Sequence, residues 1–339
     1  MIPPPLIRRP LTVATWLVLS VLVLCLSPVL VALGAIASRL LRRPQPSLLA
    51  WLLVAYFGRE LGVLVACGAL WTFSGFGAAI HTRRFQDLHE RLLRWFVHGL
   101  TERTVELLGL EIAPQGSANA TAALEEDGPV LFFSRHAGPG DTLLLTDRLM
   151  TRYRRTPRVV FKEALALDPS VDLIAHRLPH AVLDTSDKEE CERRIETVTA
   201  ELGARGTLLL FPEGANFTPE RRRAALAKLR RKGRRQEARA GAAMEHVLPP
   251  HPGGALAALR ANPDAAVIFS AHTGLGLAAF PADIWRHPPI GATLKTRMWL
   301  SPPAERPRDP DEQVKWLYAW WERLDSWVGS EGERVEAGD

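Results

Sequence analysis

Apolar residues dominate the first eighty positions of the chain. From Leu11 to Ala37 no charged residue occurs. At a rise of about 1.5 Å per residue, a helix of that length exceeds the roughly 30 Å hydrocarbon core of a bilayer. Arg8-Arg9 precede the run, and Arg39, Arg42 and Arg43 follow it. It outruns the roughly 7–15-residue apolar region of a signal peptide, so the pattern predicts a retained helix. A second apolar stretch, Leu48 to Ile80, is interrupted by Arg59-Glu60, and Leu61 to Ile80 alone is long enough to span. The interruption allows a shorter spanning helix after an interfacial one, or a bent segment within one leaflet. Basic residues mark both ends and the middle, so the positive-inside rule gives no direction. The expectation carried forward is a re-entrant hairpin with all its basic clusters on the cytoplasmic side. A buried helical pair in a soluble core is the alternative that the uncharged length disfavours.

From His81 onward apolar and charged positions alternate. Leu88, Leu92, Phe96 and Leu100 share one face of a helix predicted over Leu88–Leu110. Residues 113–128 read as a polar connector. Strands are expected at 129–134, 157–161, 181–184, 206–211, 265–271 and 293–300. Helices are expected at 141–153, 188–204, 219–241, 253–261 and 311–328. Strands alternating with helices predict α/β layers. The division is residues 1–80 as membrane-anchoring helices, 81–330 as a globular domain and 331–339 as a polar tail. On the last helix Val314, Leu317, Trp321, Leu324 and Val328 form an apolar stripe expected to pack on the domain, widened by Trp316, Trp320 and Trp327, which are placed to touch a bilayer interface.

A hydrophobic share of 47% beside 23% charged residues reflects this split between halves. The net charge of +5 is local in origin. Residues 220–239 carry Arg or Lys at ten positions against Glu220 and Glu237 alone. So one-sided a run suits anionic lipid, at around 1 kcal/mol per basic residue near the surface, or the phosphates of coenzyme A. No nucleic-acid module accompanies it. Cys25, Cys67 and Cys191 form no C-x-x-C pair, which argues against a disulfide framework or structural zinc and suits a reducing compartment.

Two polar elements leave predicted strands. Ser134-Arg135-His136-Ala137-Gly138-Pro139-Gly140-Asp141 follows Val130–Phe133, and Phe211-Pro212-Glu213-Gly214 follows Thr207–Leu210. Loops leaving strands are where function concentrates. A histidine titrates near neutrality and serves as a general base. A carboxylate four intervening residues on can fix its tautomer and stabilise the imidazolium, although Asp141 also fits a helix N-cap. Glycine at position 214 permits close backbone approach, and Glu213 is placed to accept hydrogen bonds from glycerol hydroxyls. Together the elements point to a site that moves an acyl group onto a hydroxyl. His176, His180 and His272 show no metal spacing and read as structural or surface residues.

On these motifs the chain resembles the glycerolipid acyltransferases, the lysophosphatidate acyltransferase superfamily. Arg135-His136-x4-Asp141 is similar to the family's Asn-His-x4-Asp. Phe211-Pro212-Glu213-Gly214-Ala215-Asn216 is similar to its Phe-Pro-Glu-Gly-Thr-Arg. Phe161–Leu165, Phe217–Glu220, the basic helix, His246–Pro249 with Gly253-Gly254, and Lys315 through Asp325 resemble the larger lysophosphatidate and lysocardiolipin acyltransferase branch. The resemblance covers about residues 80–328. It implies a mixed sheet flanked by helices behind an N-terminal membrane anchor. It makes His136 the base and Asp141 its partner, with Glu213 and Gly214 at the glycerol-phosphate acceptor and Lys162 near the phosphate. The donor it implies is acyl-CoA or acyl carrier protein, the acceptor a lysophospholipid, and no cofactor or metal is required. The enzyme it implies is a 1-acylglycerol-3-phosphate acyltransferase of a cell membrane, its catalytic part on the cytoplasmic side.

Departures bear on the acceptor. Asn216 stands where the family has arginine, Arg135 where it has asparagine, and Gly138 where it has a small hydroxyl residue. The second-motif arginine expected near Asp184-Thr185 is missing, and Pro250 and Pro252 replace basic residues after the fourth motif. Either Arg135, Arg177 or Lys188 compensates, or the head group differs from lysophosphatidate. Two further readings stay open. One is a hydrolase using the same pair on water, without a nucleophile elbow. The other is a non-catalytic lipid-binding relative.

Overall fold

The computed structural model describes residues 3–138, 140–274, 285 and 288–336; Pro139, in the first motif, lies outside the described residues. In chain order it holds α1 (Pro5–Cys25), α2 (Ser27–Leu41), α3 (Gln45–Phe73), α4 (Arg83–Leu108), β1 (Glu111–Gly116), α5 (Ala118–Glu125) and β2 (Val130–Ser134). Next come α6 (Asp141–Thr151), β3 (Thr156–Lys162), α7 (Pro169–Arg177), β4 (Ala181–Leu183), α8 (Lys188–Ala200) and β5 (Gly206–Leu210). The rest is α9 (Pro219–Arg231), α10 (Arg235–Ala243), α11 (Pro252–Ala261), β6 (Ala266–Thr273), β7 (Thr293–Ser301) and α12 (Pro310–Glu336). Two compact units form: Met1–Leu110 with Phe161–Thr185, and Glu111–Val160 with Ser186–Asp339.

In the first unit the helix expected over Leu11–Ala37 is two helices. Pro28 lacks the N–H that would bond the Leu24 carbonyl, and the Ser27 hydroxyl takes that carbonyl instead, at 2.7 Å. Conversely, Arg59-Glu60 does not interrupt α3. Arg59 lies over the Trp95 ring of α4, 4.3 Å from its centroid, and donates to the Trp95 carbonyl at 2.9 Å, while Glu60 is buried. Both α1 and α3 are long and apolar enough to cross a membrane. They leave large apolar side chains exposed, among them Leu6, Val18, Val65 and Phe73. Such surface points to membrane association.

Helix α7 was not expected, although Asp168-Pro169 is a start signal. Asp168 accepts from the backbone N–H of Ser170 at 3.0 Å and of Val171 at 3.1 Å. Its buried Asp172 is clasped by α1, accepting from Arg8 Nη2 at 2.7 Å and Arg9 Nε at 2.8 Å. His176 lies one turn on, at 3.0 Å. Burial works against the Asp172 charge, but His176 and Arg9 hold the carboxyl below the usual carboxylate range.

The seven strands form a mixed sheet of order β1-β7-β6-β2-β5-β3-β4. Every residue of β2 is buried, as expected of a strand covered on both faces. It runs parallel to β5, with Phe133 beside Leu210, and to β6, with Ser134 beside Ser270. Consequently the segments after β2 and β5 and the end of β6 meet at one edge of the sheet. Ligands of α/β sheets bind outside such carboxyl ends.

Where a connector was expected, β1 pairs with β7, and α5 follows, capped by Ser117, which accepts from Ala120 N at 3.1 Å. Pro114 marks β1 as an edge strand. The basic helix expected over 219–241 breaks at Gly233, whose φ is +71°. The tryptophans of α12 pack inward instead of forming an interfacial belt. Trp320 stacks on Phe269 with centroids 4.5 Å apart, Trp316 meets the same ring edge-on, and Trp327 is buried against Trp299.

Candidate active site

The turn after β2 carries His136, half-buried, and returns to Asp141 at the start of α6. His136 Nδ1 lies 3.1 Å from Asp141 Oδ2. The same oxygen accepts the backbone N–H of Ala137 at 2.6 Å and of Gly138 at 2.8 Å. A carboxylate so supplied can only accept, so Nδ1 carries the hydrogen and Nε2 is the basic nitrogen. Burial disfavours charge on Asp141, but His272, His136 and the Gly138 N–H together hold its carboxyl below the usual range. The imidazole leans on Phe211, ring centroids 4.4 Å apart. The backbone closes the loop from the other side, where Phe217 N donates to the His136 carbonyl at 2.9 Å.

Glu213 follows β5 as His136 follows β2. Its carboxylate is buried, accepting His136 N–H on Oε1 at 3.0 Å and Leu248 N–H on Oε2 at 2.9 Å. Burial pushes this group up from its ordinary value, opposed by Arg135 and the two N–H groups. Arg135 is also buried, donating to the His272 carbonyl at 2.6 Å and the His246 carbonyl at 3.1 Å. Both residues depart from the expectation that they face substrate. Both turn inward, where they tie the segments after β2 and β5 to the end of β6 and to residues 246–248. Gly214, with φ +67°, and Asn216 remain on the open side of the FPEG turn, Gly214 exposed and Asn216 partly so. Lys162 is exposed at the end of β3 and belongs to the first unit, whereas the other expected site residues belong to the second.

Two residues escaped the sequence reading. His272 is buried near the end of β6 with Nε2 3.4 Å from Asp141 Oδ1. Since Ser134 and Ser270 are paired, His136 and His272 each sit two residues beyond the pair, and only that pairing makes them neighbours. Asp325 of α12 accepts the backbone N–H of His246 at 2.6 Å and of Val247 at 3.1 Å, fixing the segment that Glu213 and Arg135 hold from the other side. An apolar cavity lined by Phe132, Leu144, Leu145, Leu149 and Met298 reaches Asp141 and His272. Among the described residues no cluster of His, Cys, Asp and Glu suits a metal ion.

A histidine held by a carboxylate at a sheet edge, beside a small apolar cavity, is an arrangement suited to taking up and returning a proton. Residues 108–270 match the family model described as Acyltransferase. The match takes in His136, Asp141 and Glu213 and stops two residues before His272. That part of the chain belongs to the glycerolipid acyltransferase family, which includes the lysophosphatidate acyltransferases. The activity class is acyl transfer to a lipid acceptor. No curated protein and no solved structure matches the chain.

Proposed function

We propose that the chain transfers an acyl group from acyl-CoA or acyl carrier protein to the free hydroxyl of a lysophospholipid, with 1-acylglycerol-3-phosphate the favoured acceptor and phosphatidic acid the product. The 3.1 Å contact between His136 Nδ1 and Asp141 Oδ2 carries this reading. His136 Nε2 takes the hydroxyl proton as the oxygen attacks the thioester carbonyl. Asp141 balances the imidazolium. Collapse of the tetrahedral intermediate breaks the C–S bond, leaves the new ester, and returns the proton from His136 to the thiolate. Gly214 and Asn216 face the acceptor. Glu213 and Arg135 act as positioning residues. Both donors are cytoplasmic thioesters, so the second unit works on the cytoplasmic side of a cell membrane and contributes to phospholipid synthesis.

Arg135 is committed to backbone carbonyls, which removes one candidate for the acceptor phosphate. This favours, as a second reading, a lysolipid with a different head group. A panel of lysolipids assayed with one labelled acyl-CoA separates the two. His136→Ala should lower turnover by about 10²–10⁴-fold while leaving membrane binding unchanged. Wild-type turnover by that variant overturns the base assignment, and labelled free fatty acid in place of new phospholipid overturns transfer in favour of hydrolysis.

A further inference from the structure

The first unit contains a cavity of about 710 Å³ beside α1, α3, α7 and the turn after α3. That volume falls within the roughly 300–1,000 Å³ of small-ligand sites. Its walls are of two kinds. Val13, Leu64, Trp71, Ile80 and Leu173 are apolar, whereas Arg9, His176 and Arg177 are basic. Among the described residues no acidic side chain lines it. Behind the basic wall the carboxylate of Asp172 faces Arg8, Arg9 and His176, and that of Glu163 lies 3.9 Å from Arg8. Three guanidiniums, those of Arg8, Arg9 and Arg177, against these two carboxylates leave the wall cationic. Arg177 donates to the Cys67 carbonyl at 2.9 Å and lies 3.1 Å from the His89 ring, and neither contact supplies a negative charge.

An apolar wall ending in cations suits an amphiphile with an anionic head. The same helices indicate its source. The cavity lies where the N-terminal end of α1 meets the C-terminal end of α3, and both helices expose apolar side chains along their length. Bilayer lipid would therefore run along the walls that lead into it. We propose that this cavity binds one anionic phospholipid drawn from the membrane, its phosphate against Arg9, His176 and Arg177 and a hydrocarbon chain along Val13, Leu64 and Trp71. Its lining shares no residue with the acyl-transfer site, and binding rather than turnover reports on it.

Gly68 supplies a clean probe. It lies on α3 in the cavity wall, and a Cβ built there meets no atom within 4 Å. Gly68→Phe therefore fills the cavity without forcing the backbone to move. Full-length protein in neutral detergent is titrated with phosphatidylglycerol or phosphatidylcholine of matched chains, and bound lipid is counted by native mass spectrometry. Wild type should prefer phosphatidylglycerol by about tenfold or more, given two arginines at the head. Gly68→Phe should lose the bound lipid, and Arg177→Gln should lose the head-group preference, with melting temperatures showing both variants folded. Equal binding of the two lipids by wild type overturns the proposal. So does wild-type binding of phosphatidylglycerol by folded Gly68→Phe.

Discussion

Asp141 meets demands from three sides at once. Its Oδ2 accepts two backbone N–H groups and the His136 ring, and its Oδ1 faces His272 at 3.4 Å. The unfolded chain protonates such a carboxyl near about pH 3.9, whereas the folded protein keeps the charge to lower pH. Its contribution to stability is therefore complete well above that value and is lost as pH falls through the depressed folded value. Asp172 carries the same sign. The gap in melting temperature between wild type and Asp141→Asn should accordingly be wide near neutrality and narrow on acidification below about pH 4. A gap independent of pH would mean that Asp141 is not the ionised partner of His136. Glu213 makes a different prediction. In Glu213→Gln one end becomes an amide donor facing a backbone N–H, which costs about 1–3 kcal/mol. The loss should fall on kcat more than on KM, because His136 is displaced while the acceptor's contacts remain. An unchanged kcat would show that its bond to the His136 N–H does not position the ring.

At the scale of elements, the break between α9 and α10 carries a prediction of its own. Gly233 adopts φ +71°, and Arg234 N returns to the Leu229 carbonyl at 3.1 Å, a glycine-terminated helix end. Gly233→Ala should cost about 1 kcal/mol, since a Cβ is disfavoured in that conformation. Denaturant unfolding measures it, and an alanine variant as stable as wild type would mean that the two helices can fuse. Charge periodicity does not register such a break, which is why ten basic residues read as a single helix. The sheet was legible because β2, β5 and β6 are apolar runs bounded by turn residues. Strand β1 was not, because Pro114 and polar neighbours look like a connector until β7 supplies the pairing. Half of the site was legible for a related reason. His136 and Asp141 are local in sequence, so spacing reveals them. His272 and Asp325 are brought in by strand adjacency and helix docking, and no local pattern carries that information. Glu213 and Arg135 were visible as residues but not in orientation, since the groups they bond lie far away in sequence.

At the scale of the whole molecule, the apolar N-terminus is more than an anchor. Residues 1–110 fold together with 161–185, a segment that interrupts the sequence of the second unit. The dependence is chemical as well as topological. Helix α7 buries Asp172, and its ionic partners Arg8 and Arg9 come from α1. Its cap Asp168 accepts a hydrogen bond from the Tyr56 hydroxyl of α3, and Arg177 donates to the Cys67 carbonyl. Removing one partner of a buried ion pair costs about 3–5 kcal/mol, a large share of the roughly 5–15 kcal/mol by which a domain is stable. Deleting residues 1–80 removes all of these partners together and leaves the Asp172 carboxylate facing His176 without its arginines, and Arg177 beside His89 without the Cys67 carbonyl. The deletion variant should therefore fail to yield a soluble acyltransferase: it should aggregate on size exclusion without detergent, and adding detergent should not restore turnover. Asp172→Asn in the full chain tests the same dependence more gently, lowering the melting temperature while leaving membrane attachment intact. A monodisperse deletion variant with wild-type turnover on detergent-solubilised lysolipid would show that α7 folds without α1 and α3, and that the apolar helices serve attachment alone.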